Sequence, residues 1–99
     1  MVKLEGISIK HLVVQSEGNI VSDMGGEKVM LNIENGKYYN LGKIGGEIWG
    51  IIDKPILVSE LINDIMTKYD VNREKCEEEV ISFLESMYEE KLVKVITQN

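Results

Sequence analysis

Val29-Met30-Leu31-Asn32-Ile33-Glu34-Asn35-Gly36-Lys37-Tyr38-Tyr39-Asn40-Leu41 limits the possible folds of this chain more tightly than any other stretch. Asn35-Gly36 divides two β-rich runs. A two-residue type I′ turn needs positive φ at both central positions, which asparagine and glycine tolerate best. The sequence therefore predicts a hairpin with strands at 28–33 and 37–41. A two-residue loop pairs Ile33 with Tyr38, Leu31 with Asn40 and Met30 with Leu41, and sets Glu34 opposite Lys37 as a charge pair. One face then carries Val29, Leu31, Ile33, Tyr38 and Asn40; the other carries Met30, Asn32, Tyr39 and Leu41. Both faces are largely apolar, whereas a small antiparallel sheet normally keeps one wet face. Either protein covers both faces or one waits for a partner, and the pattern alone does not say which face is core.

The flanking chain supplies the remaining elements. Residues 1–8 read as loosely held. Ile9 to Gln15 has strand composition, Ser16 to Asn19 is a turn, and Ile20 to Met24 reads as a short strand broken by Gly25-Gly26. After the hairpin, Gly42 to Ile52 reads as a helix through Ile44, Ile48, Ile51 and Ile52, ended by Asp53-Lys54-Pro55. Its interior glycines, each costing about 0.8–1 kcal/mol against alanine, imply close backbone approach to the hairpin. Val58, Leu61, Ile62, Ile65, Met66 and Tyr69 form the stripe of a second helix, with Ser59 as its expected N-cap. Asn72 is placed to cap a third helix from Arg73 to Glu90, whose core stripe is Cys76, Val80, Phe83, Leu84 and Met87. Ile81 and Tyr88 widen that stripe on one flank, while Glu79, Ser82, Ser86 and Glu90 occupy a solvated one. Lys91 to Ile96 alternates, as a terminal strand or an extended tail. The plan is α+β: an N-terminal three-stranded antiparallel β-meander followed by three α-helices, winged helix-turn-helix-like, in a single domain over residues 1–99.

Several chemistries find no support. His11 is the only histidine and Cys76 the only cysteine, so a nucleophile–base pair would rest entirely on these two, and Cys76 lies on an apolar helix stripe. There is no Cys/His cluster for zinc, and the glycine patterns match neither a phosphate loop nor a dinucleotide fingerprint. No enzyme, cofactor or metal is expected. No apolar run is long enough to span a bilayer, no signal peptide is evident, and one unpaired cysteine suits the reducing cytoplasm. The net charge of −6 disfavours nucleic acid.

What remains is binding. If the strands pair in sequence order, the last one, Lys37 to Leu41, has a vacant edge beside the apolar flank of the third helix. Such an edge, guarded only mildly by Lys37, is the arrangement that captures an extended peptide as an added strand.

The series Val29-Met30-Leu31-Asn32, Gly36, Tyr38-Tyr39, Leu41, then Gly45, Ile48-Trp49, Ile52-Asp53, then Val58, Glu60-Leu61, Tyr69-Asp70, Val80, Phe83-Leu84 and Leu92-Val93 resembles the PqqD-like family. These are the recognition elements of ribosomally made, modified peptide pathways, and the Tyr38-Tyr39 and Ile48-Trp49 pairs look closest to the stand-alone forms from lasso-peptide clusters. The resemblance covers about residues 19–95. It implies a non-catalytic protein that binds the leader region of a precursor peptide. It further implies delivery of that peptide to a leader peptidase or other maturation enzyme. It also implies that the leader adds to the third strand of the sheet and lies against the third helix. Carried over by position, the strand side is Lys37, Tyr38, Tyr39, Asn40 and Leu41, and the helix side is Glu77, Ile81, Leu84, Glu85 and Tyr88. Two other readings share the architecture: a winged-helix nucleic-acid-binding regulator, and a dimerisation subunit that pairs its open edges.

Overall fold

The computed structural model of the chain describes residues 6–96. In order it forms β1 (Leu12–Gln15), β2 (Asn19–Met24), β3 (Glu27–Asn32), β4 (Tyr38–Leu41), α1 (Gly42–Ile51), β5 (Ile56–Leu57), α2 (Val58–Lys68), α3 (Arg73–Glu89) and β6 (Val93–Ile96). Strands β2, β3 and β4 make the expected antiparallel meander, followed by the three helices. A second small sheet, in the order β5-β1-β6, was not legible in the sequence. It ties the N-terminal strand to the α1–α2 connection and to β6, so of the segment Lys91 to Ile96 the residues Val93–Ile96 form a strand, not a tail. Its centre is Val13, fully buried.

The hairpin differs from the two-residue loop in register. Met30 faces Tyr39, Leu31 faces Tyr38 and Val29 faces Asn40, a shift of two residues from the expected pairing. The reason lies in Asn32, which is buried. Its side-chain oxygen accepts from the Asn35 amide at 2.8 Å and its carbonyl accepts from the Gly36 amide at 2.8 Å. These bonds close a wider loop over Ile33 to Gly36, with Gly36 at φ 71°. Glu34 and Lys37 therefore do not form the turn pair; Lys37 reaches Glu90 instead, at 3.5 Å. A two-residue slip keeps every side chain on its own face. The core face is now fixed: Met30, Asn32 and Leu41 are buried and Tyr39 is half-buried, while Ile33 and Tyr38 face outward.

The helices lie close to their expected limits, with two corrections. Helix α2 starts at Val58 with Leu57 at the N-cap, because the amides of Val58 and Ser59 are taken by the carbonyls of His11 and Ile9. Ser59 is thus not the cap. Asn72 does cap α3, accepting from the Lys75 amide at 2.8 Å. Of the segment expected to be loose, 1–5 lie outside the described residues; within the rest, Ile7 is buried and its amide donates to Glu85 at 2.9 Å. Lys68, at the end of α2, bonds Glu47 on α1 at 3.0 Å, which raises its ammonium pKa above the ordinary lysine value.

The glycines of α1 separate into two kinds. A methyl group at Gly46 would overlap the Lys28 side chain on β3 and come within 3.0 Å of its Cβ, and one at Gly45 would meet the Phe83 ring at 2.7 Å. Gly50 faces open space. Gly46→Ala is therefore expected to lose about 1–2 kcal/mol through overpacking, and Gly50→Ala to gain about 0.5 kcal/mol from helix propensity, both read by urea denaturation. Cys76 is buried, and burial first, with Glu79 second, pushes its thiol pKa up against a smaller opposing effect of Arg73. Its alkylation at neutral pH is expected to be slow in the native protein and fast in denaturant, as followed by mass spectrometry.

Candidate functional site

Strand β4 is the last strand of its sheet, and no described residue pairs with its outer edge. The Asn32 amide donates to the Lys37 carbonyl at 3.0 Å. Antiparallel ladders alternate hydrogen-bonded and non-bonded pairs, so Met30 and Tyr39 form the next bonded pair. The amides and carbonyls of Tyr38 and Asn40 then point away from β3, to the vacant side.

The five strand-side residues divide among three settings. Tyr38 is 72% exposed on the outward face. Tyr39 packs on the core and its hydroxyl donates to Glu90 Oε1 at 2.9 Å, while accepting from the Asn35 side-chain amide at 3.1 Å. Lys37 is exposed and shares the same Glu90 oxygen. Asn40 folds its side chain onto the Gly42 amide at 3.0 Å, at the start of α1. Leu41 is buried and packs inside, so what it can offer a guest is backbone.

The helix-side residues fall elsewhere. Leu84 is fully buried in the core. Glu77, Ile81 and Glu85 line a shallow concavity of about 390 Å³ together with Glu74, Glu78 and Ser82. Glu85 is turned toward the N-terminal segment through its bond to the Ile7 amide. Tyr88 is partly exposed. The contacts that join α3 to the β4 side run through other residues: Glu90, which holds Tyr39 and Lys37, and Phe83, whose ring lies against Gly45 just after β4. On the wheel, Phe83 closes the core stripe on the side next to Glu79, Ser86 and Glu90, the flank that the charge pattern reads as solvated. A wheel ranks faces by polarity, and here the face nearest β4 is the more polar one. The signal available in sequence was weaker: a glycine in α1, Gly45, for an aromatic stripe position to pack against, and an acid at the end of α3.

Among the described residues, no group of three or more His, Cys, Asp or Glu side chains is placed to hold a metal ion. His11 accepts from the Ser8 amide at 2.9 Å, closing a local turn. No helix among those described is long and apolar enough to cross a membrane. The site is thus a strip of backbone donors and acceptors flanked by an aromatic ring, a tyrosine and a carboxylate.

Comparison with known proteins agrees with this architecture. The solved structure of TbiB1 in complex with the TbiA(beta) leader peptide has the same fold, with a TM-score of 0.74 over 86% of this chain and 99% of that one, at 22% identity. No curated protein matches the chain. The family described as Coenzyme PQQ synthesis protein D (PqqD) matches residues 27–93, from the start of β3 to the start of β6. The chain belongs to the PqqD family.

Proposed function

We propose that this protein is a non-catalytic recognition element that binds the leader region of a ribosomally made precursor peptide and delivers it to a leader peptidase or other maturation enzyme, in lasso-peptide biosynthesis in the cytoplasm. The observation that carries the reading is the unpaired outer edge of β4 beside α3, in a chain of the PqqD family. The likeness to TbiB1, solved with a leader peptide, supports it. The leader adds as a strand along Lys37 to Leu41, using the outward backbone groups of Tyr38 and Asn40. Its side chains on the α3 side meet Phe83, Tyr39 and Glu90. Backbone bonding supplies much of the affinity, and the side chains around it choose the guest.

A peptide fits this surface better than nucleic acid does. Helix α3 and its cap carry Glu74, Glu77, Glu78, Glu79, Glu85, Glu89 and Glu90 against Arg73 and Lys75. A helix laid on phosphates would face repulsion along its whole length.

Tyr38→Pro tests the reading directly. Edge strands accept proline where the amide faces outward, so the fold should persist. The probe is a 12-residue peptide selected on the wild-type protein from a random display library. Its affinity should fall at least about tenfold, because one ladder bond is lost and the proline ring blocks the edge. Fluorescence anisotropy reads the affinity and circular dichroism the helix content. Unchanged affinity with an intact fold would remove β4 as the binding edge.

A further inference from the structure

The outward face of the β2-β3-β4 sheet has not been accounted for by strand addition to its edge. Ile20, Leu31 and Tyr38 lie side by side across the three strands, since Ile20 pairs with Leu31 and Leu31 with Tyr38. Ile20 is 52% exposed and Tyr38 72%. Ser22, Val29 and Asn40 form the next row. Among the described residues no helix covers this face: the core lies on the other side, where Met30 and Leu41 are buried. At Tyr38 the row ends on the open edge of β4, where an added strand would extend it.

We propose that the guest strand is read on both of its faces, and that the outward reader is Tyr38, backed by Leu31. This rests on the strand-addition reading above and adds a specificity determinant to it. A strand bonded to β4 lies about 4.8 Å away, and its side chains alternate between the two faces. The guest residue opposite Tyr38 has its Cβ about 4.5–5.5 Å from that of Tyr38. It becomes the fourth member of the row Ile20-Leu31-Tyr38. Its neighbours on either side in the guest point to the α3 side, toward Phe83 and Glu90. The guest class is therefore an extended peptide with an aromatic or branched aliphatic residue facing outward, flanked by residues of opposite parity that enter the groove. The row carries no charge and is largely apolar, so an aromatic or branched aliphatic residue there gains packing that a charged one does not.

The exposure of Tyr38 supports this assignment. Its partner on the core face, Tyr39, has both a packed ring and two hydrogen-bonded neighbours. Tyr38 has only Leu31 beside it on one side, and its other side is the vacant edge. A β-rich aromatic residue in that position gains packing only when a fourth strand is present.

The test uses the full chain and a 12-residue peptide selected on it from a random display library, with a set of single alanine variants of that peptide. Tyr38→Thr keeps a strand-forming residue and the outward amide, so the ladder is preserved. The expected result is about a tenfold loss of affinity, the scale of removing an aromatic anchor. In a double-mutant cycle, coupling to Tyr38→Thr should appear at one peptide position, with none at its immediate neighbours. Affinity unchanged by Tyr38→Thr, or coupling at no position, overturns the outward subsite while Tyr38→Pro still reports on strand addition. Failure to select any binding peptide, or Tyr38→Pro without effect, overturns the strand-addition reading and this inference with it. Sedimentation of the peptide-free chain is measured alongside. A dimer that Tyr38→Thr converts to monomer would make the row a surface for a second copy and overturn the assignment.

Discussion

The approach of α1 to β3 decides where everything else in this protein stands. Gly46 leaves bare backbone against the Lys28 stem, and Gly45 leaves room for the Phe83 ring. Because α1 follows β4 without a linker, the depth at which it seats fixes the end of β4 as well. Leu41 is both the last residue of that strand and the residue before the helix, and it is buried. A bulkier α1 would push the sheet away from α3 and open the space between β4 and Phe83. The glycines cost helix propensity and gain placement, and the helix holds through its buried Ile48 and Trp49.

The small sheet β5-β1-β6 does complementary work at the other end of the chain. Strand β1 bonds the two-residue β5 and the C-terminal β6, and its neighbours reach further: the Gln15 side chain donates to the Trp49 carbonyl at 2.6 Å. Ser16 donates its amide to Leu92, and Gln15 its amide to Ile52. Three distant segments are thereby held without any long element. The meander β2-β3-β4 is left with one face on the core, and among the described residues no strand pairs with the outer edge of β2 or of β4.

How far the sequence revealed this differs between elements, for physical reasons. The stripes of α2 and α3 were legible because a 3.6-residue period accumulates evidence over several turns. The hairpin was legible as a hairpin, and its two faces were sorted correctly. Its register was not, because Asn32 spends its side chain on the loop, and a side chain standing in for a backbone turn leaves no periodic trace. The β5-β1-β6 sheet was hidden for another reason: β5 is two residues long and β6 lies some eighty residues from β1. The open strand of the candidate site was legible from order, as the last strand of a meander, and the residues on it were expected from the family resemblance. Which flank of α3 lies nearest β4 was not readable that way. A wheel gives the polarity of each face, while the face that meets β4 is decided by Gly45 and Phe83, a contact between residues far apart in sequence.

Lys37 and Glu90 carry a consequence for how this protein behaves in concentrated solution. An open strand is ordinarily protected from its own kind by a free cation near the edge. Here that cation is held by Glu90, whose oxygen also takes the Tyr39 hydroxyl. The lysine is turned toward the helix and its charge is matched, so two copies meeting edge to edge do not repel one another there. Pairing Lys37 with Glu90 thus also lowers the colloidal protection of that edge.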